Sequence, residues 1–298
     1  AASNTVEDAR HQLSLTLARL WVGWLEASER QAIDADELAT YRKDLTAMRR
    51  RVELKDASGL ELRIVAASVA RAEAALAVSS AESAALRLEI DSQFPGLTPP
   101  AAPTLSPPVE LVRPGSAWRD VILSRSHEIA IVRDLAEREA LLARRARLDR
   151  VPDPTVGVRT FNERGGSETG VGVFVSIPFS GPRRTALADR QIASASAALV
   201  RLRRMEREIV ATADRDVLDA QSGLEAWRGA WAAAEQTHAA TLLVRRSYQL
   251  GETSLAELLV AERQFSDARR METSARARAQ SAQVKLALDA HELWLTEE

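Results

Sequence analysis

From Thr185 to Leu250 the chain contains no proline, and its only glycines there are Gly223 and Gly229. A helix over that run, at about 1.5 Å per residue, is roughly 100 Å long. A helix of such length has nothing of its own to bury its apolar stripe against, so it demands long partners in a coiled coil or a helical tube. The next segment supplies one. Ser254 to about Leu295 is also free of proline and glycine, and its Ala261, Ala268, Ala275, Ala277 and Ala279 allow close helix approach. The arginines and glutamates between those alanines suit a solvated face.

The same arrangement occurs earlier in the chain. Arg49 to Leu62 aligns with Arg245 to Leu258 at an offset of roughly 196 residues. In each copy a helical run ends at a short polar turn, a serine (Ser58 or Ser254) stands where it can cap the next helix, and a second apolar run follows. The first copy rises from about Val6 to Leu54 and returns from Ser58 to about Phe94. Lys55 stands where the second copy has Gly251, which sets the two turns apart. Residues 1–94 are therefore one helical hairpin and 183–298 a second.

Between them lie three further segments. Pro95, Gly96, Pro99, Pro100, Pro103, Pro107, Pro108 and Pro114 mark 95–116 as a connector. Residues 117–150 read as one helix, stopped by Pro152 and Pro154. Residues 151–182 carry the β signal. Along Thr169 to Ile177, Val171, Val173, Val175 and Ile177 alternate with Gly170, Gly172, Phe174 and Ser176. The partner strand is Thr155 to Phe161, with Val156 and Val158 on its apolar face, and the loop Asn162 to Glu168 contains Gly165 and Gly166. A β-branched face opposed by small or polar residues is the pattern of a membrane barrel strand, and a tilted strand crosses the bilayer in about 9 to 11 residues. A soluble hairpin packed on a helix bundle is the alternative for these strands, so the fold class expected is mainly α with a small β part: long antiparallel helical hairpins, in a coiled coil or forming an α-barrel, plus one β-hairpin expected to be transmembrane.

In this order the segments resemble the TolC family of outer membrane factors. The resemblance is carried by Pro152-Asp153-Pro154-Thr155-Val156-Gly157-Val158 entering the strands and by Val173-Phe174-Val175-Ser176-Ile177-Pro178-Phe179 leaving them. It is carried again by Tyr248-Gln249-Leu250-Gly251-Glu252-Thr253-Ser254-Leu255-Ala256-Glu257-Leu258-Leu259 at the second turn. It implies a homotrimer in the outer membrane and periplasm of a Gram-negative bacterium, with four strands from each chain closing a shared barrel. It also implies a passive duct in a tripartite efflux or type I secretion system, docked to a periplasmic adaptor (a membrane fusion protein) and an inner-membrane pump. The heavy-metal, CzcC-like branch is one home the resemblance allows, although no metal-ligand cluster in the sequence supports it. Three copies of one hairpin supply six strands, fewer than the eight of the smallest single-chain barrels. The repeat therefore predicts a first hairpin roughly 41 to 19 residues upstream of Ala1, with leading helices and a signal peptide before it.

By the same resemblance the two turns are the adaptor-docking tips: Leu54, Lys55, Asp56, Ala57 and Ser58, and Leu250, Gly251, Glu252, Thr253 and Ser254. Asp56 and Glu252, repeated on three chains, are candidates for acidic rings at a constriction. The membrane strands present Val156, Val158, Val171, Val173, Val175 and Ile177 to outer membrane lipid. A soluble coiled-coil scaffold or interaction protein is the alternative.

Other chemistry is poorly served. The 40 basic and 42 acidic residues are interleaved, so no field attracts nucleic acid, and Arg201, Arg203 and Arg204 have Glu206 and Glu208 beside them. There is no cysteine, and His11, His127, His238 and His291 are scattered, so no metal site, cofactor or catalytic constellation is expected. No signal peptide or apolar stretch of membrane-helix length stands out. Trp21 and Trp24, and Trp227 and Trp231, are spaced to share a helix face and are read as packing residues.

Overall fold

The computed structural model describes residues 2–100, 103–151, 153–178 and 181–293, with side chains described from residue 6. Pro152, Phe179 and Leu295, named above, lie outside them. The element order is α1 (Ala2–Glu53), α2 (Gly59–Gln93), α3 (Gly115–Arg125), α4 (His127–Leu148), β1 (Thr155–Glu163), β2 (Glu168–Ser176), α5 (Pro182–Leu250) and α6 (Leu255–Asp289). Two compact units divide the chain: Ala1–Asp8 with Ser126–Val210, and Ala9–Arg125 with Ala211–Glu298.

The helices bury residues at seven-residue intervals, the spacing that keeps one seam facing its partner in a coiled coil. Along α1 the buried positions include Leu20, Ala27, Asp34, Tyr41 and Met48, with Trp24 and Leu38 between them. On α2 they include Val65, Ala72 and Ser79, interleaved with Val69, Ser83 and Ile90. In the second unit Ser28 of α1 meets Ser83 of α2 (3.1 Å). Ser274 of α6 donates to Glu26 of α1 (2.6 Å), and Thr241 of α5 donates to the Ala261 carbonyl of α6 (3.1 Å). Gly223 lets α5 approach α6 closely: a Cβ there would lie 3.1 Å from the Ala279 Cα. Two apolar clusters result. One gathers Tyr41, Met48, Val65 and Val69 with Leu255 and Leu259; the other gathers Leu20, Trp24, Leu25, Ile90 and Ala277 with Leu105 of the connector.

The connector is strapped down by its backbone. Gln283 accepts from the Val109 N–H (3.1 Å) and donates to the Val109 carbonyl (2.6 Å). Glu29 accepts from the Leu105 N–H (2.7 Å). In the first unit, α4 buries Ile129, Ala136 and Ala143, again seven apart. Gln191 of α5 donates to Glu139 of α4 (2.7 Å), and Arg150 pairs with Asp189.

Five expectations need correction. The helix expected over 117–150 is two helices, because Ser126 leaves the helical conformation (ψ 118°) and its side chain caps the Ile129 N–H. The loop expected over Asn162 to Glu168 is shorter, since Asn162, Glu163 and Glu168 are paired within the strands. The return helix stops at Asp289, where the backbone turns through a positive φ at His291 and the Glu292 N–H bonds the Ala287 carbonyl. Helix α2, where no such stretch was expected, is long and apolar enough by length and composition alone to cross a membrane. Its alanines raise its mean hydropathy, yet its Glu73 pairs with Arg42 of α1 (2.8 Å) and its seven-residue stripe is buried in the bundle. Finally, Trp231 is 52% exposed and is not a core residue. Trp21 and Trp24 do pack together, edge to face at 5.5 Å.

Candidate functional site

The hairpin presents two unlike faces. Strands β1 and β2 are antiparallel, with Val156 opposite Val175, Val158 opposite Val173 and Thr160 opposite Val171. One face thus carries Val156, Val158, Val171, Val173 and Val175, continued by Ile177 beyond β2, each between 57% and 73% exposed. On the other face Gly157 lies opposite Phe174, and Gly170 opposite Phe161. Each ring lies over the facing glycine: a Cβ on Gly157 would come within 2.6 Å of the Phe174 ring, and one on Gly170 within 2.4 Å of the Phe161 ring. These crossed aromatic–glycine pairs hold the register on the face away from the valines. The turn is a single 3₁₀ turn, Arg164–Gly166, in which Gly165 and Gly166 supply positive φ and Arg164 pairs with Glu168 (2.9 Å). Among the described residues β1 and β2 have no other strand partner, so each leaves one edge unpaired.

The helical tips share one backbone design. At the first, Lys55 N–H bonds the Val52 carbonyl (3.0 Å) and Asp56 N–H the Arg51 carbonyl (2.8 Å). At the second, Gly251 N–H bonds the Tyr248 carbonyl (3.0 Å) and Glu252 N–H the Ser247 carbonyl (2.9 Å). These are the paired bonds that close a helix through a left-handed residue. Lys55 takes that conformation (φ 63°) where the second tip uses Gly251 (φ 77°), so the tips agree in backbone despite the difference in residue. Each following helix opens on a reciprocal capping box. Ser58 caps the Glu61 N–H (3.2 Å) while Glu61 accepts from the Ser58 N–H (2.7 Å), and Ser254 and Glu257 repeat both distances. Those backbone bonds, followed by the serine hydroxyls, hold both glutamates below their ordinary pKa.

Both tips expose a leucine, Leu54 at 61% and Leu250 at 58%, and half-bury Ala57 and Thr253. Their charges differ. Asp56 is held by Arg51 (2.7 Å), which also donates to the Tyr248 hydroxyl of the other hairpin (2.8 Å). Glu252 is exposed and forms no ion pair among the described residues. The two candidate constriction residues are thus not equivalent within one chain.

Above the tips, buried charges join the hairpins. Arg270 of α6 bonds Asp34 (2.8 Å) and Glu37 of α1, and Arg71 of α2 reaches Glu37 (3.5 Å) and Tyr41 (3.4 Å). Arg276 joins Glu29 to Glu272, and Arg245 joins Asp44 to Glu262. Near the end of α6, Lys285 bridges Asp216 (2.6 Å) and Asp289 (2.8 Å), and Asp289 also meets His11 (3.0 Å). Burial, then the hydrogen bond with Asp289, pushes the Asp216 carboxyl up to about 6. Sequence reasoning missed these residues because carboxylates at helical spacing usually face water. The available signal was phase: Asp34 falls in the seven-residue series of Leu20, Ala27, Tyr41 and Met48. Among the described residues no group of three or more His, Asp or Glu is arranged to hold a metal.

Paired helices closed by capped tips, with a β-hairpin exposing one apolar face, form the fold of outer-membrane channels. Solved structures define the likeness further. The chain is similar to the outer-membrane channel OprN, with a TM-score of 0.76 and 19% identity, covering 97% of this chain and 68% of that one. It is similar to CusC, whose structures concern folding and transmembrane channel formation (TM-score 0.78, 17% identity, 95% of this chain and 70% of that one). The outer membrane protein VceC of Vibrio cholerae gives a TM-score of 0.75 at 17% identity, over 97% of this chain and 72% of that one. No protein-family profile and no curated protein matches the chain. At such identities the likeness establishes the fold, and function must be argued from the site.

Proposed function

We propose that the chain is the duct of an efflux assembly in the outer membrane and periplasm of a Gram-negative bacterium, with no catalytic role of its own. The observation that carries this reading is the hairpin's continuous exposed valine face, because a lipid-facing strand surface is apolar and a soluble hairpin buries such a surface. The unpaired edges of β1 and β2 support assembly with further copies, since strands in hydrocarbon need a closed ladder to satisfy their backbone groups. A homotrimer is the assembly this fold suggests. The tips, with exposed Leu54 and Leu250 on rigid capped turns, are the surface offered to a periplasmic adaptor and, through it, to an inner-membrane pump. Within this reading Glu252 is the stronger candidate for a constriction ring, because Arg51 offsets the charge of Asp56. Membership of the heavy-metal branch would be decided by the cognate pump, not by a metal site in this wall.

Expression in a Gram-negative host tests the reading. The protein should fractionate with outer membranes as a trimer, and Val173→Arg should reduce that fraction sharply, since an arginine at the bilayer midplane costs about 2–4 kcal/mol. Recovery of the wild type as a soluble species, indifferent to Val173→Arg, would favour a coiled-coil scaffold and sink the duct.

A further inference from the structure

Four of the charged clusters joining the hairpins place two carboxylates around one cationic side chain of α5 or α6, and among the described residues only that of Arg245 lacks a further polar partner; around Lys285, Asp289 also meets His11. Around Arg270, the charge of Asp34 and Glu37 is balanced by Arg71 as a second guanidinium. Around Arg276, Glu29 also accepts from the Leu105 N–H and Glu272 from the Trp227 indole N–H (2.7 Å). Around Arg245 there is no such help. Asp44 of α1 lies 3.3 Å from the guanidinium, and Glu262 of α6 bonds it through Oε1. The other oxygen, Glu262 Oε2, is buried and has no hydrogen-bond partner among the described residues, on a residue only 6% exposed. Glu262 is among the residues lining a cavity of about 160 Å³ between α1, α5 and α6. The other titratable or charged groups lining that cavity are Asp36, Glu37 and Tyr41 from α1, His238 from α5 and Arg269 from α6. Arg71 of α2 reaches Tyr41 from behind.

We propose that Asp44, Arg245 and Glu262 form a one-proton latch that tightens the first helical hairpin onto the second in acid and relaxes it in alkali. With both carboxylates ionised, the site holds one uncompensated negative charge away from water, which a low-dielectric interior penalises. One proton on Glu262 removes that charge and turns the facing carboxyls into a donor and an acceptor, while Asp44 keeps its ion pair with Arg245. The electrostatics agree. Burial first, and then the negative charge of Asp44, raise the Glu262 carboxyl from 4.5 to about 7, against the pull of Arg245. A folded-state pKa raised above the unfolded value gives stabilisation that is complete below about pH 4.5 and lost as pH rises through about 7. The latch thus works in the range through which a periplasm open to the surroundings can move, and it acts on the hairpin joint whatever passes through the duct.

The chain has no cysteine, so spin labels can be placed singly at exposed positions through Lys43→Cys on α1 and Gln264→Cys on α6. In the otherwise unaltered protein, the distance distribution between the labels should broaden between about pH 5 and about pH 9, with a midpoint near 7. Glu262→Gln, which mimics the protonated side chain, should hold the narrow distribution throughout. Asp44→Asn, which removes the facing charge, should move the midpoint down by about a unit or more, and it decides the matter if Glu262→Gln fails to fold. His238→Gln should leave the transition in place. A wild type insensitive to pH, a transition surviving in folded Glu262→Gln, an unmoved midpoint in Asp44→Asn, or loss of the transition in His238→Gln would each overturn the proposal.

Discussion

The two helical tips share a backbone and a capping box and differ in the side chains that flank them. Both close with the same pair of hydrogen bonds and reopen with the same capping box. Yet the first places Lys55 in a left-handed conformation where the second has Gly251, and follows Ser58 with Gly59 where the second follows Ser254 with buried Leu255 (6% exposed). The first also carries Arg51, which ties down its own Asp56 and reaches Tyr248 on the other hairpin; the second has Ser247 at that position. Turn geometry is therefore set by a few backbone bonds and two serines, leaving the remaining side chains to make one tip a clamp and the other an anchored, exposed acid.

Substitutions at matched positions can break or sharpen this contrast. The largest effect should come from Leu255→Ala, because that side chain packs with Tyr41, Met48, Val65 and Val69 in the tip cluster. A loss of about 2–4 kcal/mol is expected by chemical denaturation, and no comparable loss is available at Gly59. Exchanging the left-handed residues comes next. Gly251→Lys should cost about 1–2 kcal/mol and Lys55→Gly should gain about 1 kcal/mol or less, since only a residue without Cβ takes that conformation freely. Opposite signs in the same melting assay would confirm that Lys55 is strained, whereas two losses would show that its side chain is needed.

The capping serines should behave alike: Ser58→Ala and Ser254→Ala should each cost about 1 kcal/mol. The pH dependence of the boxes follows the lowered pKa of Glu61 and Glu257, so their contribution is present above the ordinary glutamate value of 4.5 and is lost as pH falls through the lower folded-state value. A fall in amide protection at both helix starts on acidification, each rate being taken relative to the unfolded chain at the same pH, would check this. The smallest effect belongs to Arg51→Gln. Its pairing with Asp56 is largely solvated and worth about 1 kcal/mol or less. Its mark should be looser coupling of Tyr248, read as a change in tyrosine mobility, with little change in melting temperature.

Much of the helical design was legible in the residues. The absence of proline from Thr185 to Leu250, and Ser58 and Ser254 at matched positions, located the helices and their turns to within a few residues. The break at Ser126 was not legible, because Ile122 and Ile129 are seven apart and keep the apolar period running across it. The strand partners were readable from alternation, but the register needed the crossed Phe174–Gly157 and Phe161–Gly170 contacts, which depend on which glycine faces which ring. Equivalence of the tips was obscured by Lys55, a residue that rarely accepts a positive φ. The joint between hairpins was hidden for a different reason: a buried carboxylate and a solvated one look the same in a helical sequence until the phase of the seam is known.

That seam has a consequence for how the chain finds its place. Sliding α1 along α6 by seven residues would still set small and apolar groups against one another, so packing alone ranks neighbouring alignments poorly. The slide that brings Arg270 opposite Tyr41 would, however, set Asp34 against Ala277 and leave two acids in the interior without their cation. The buried charges therefore act as the index marks on a vernier scale, adding little where they match and excluding the alignments where they do not.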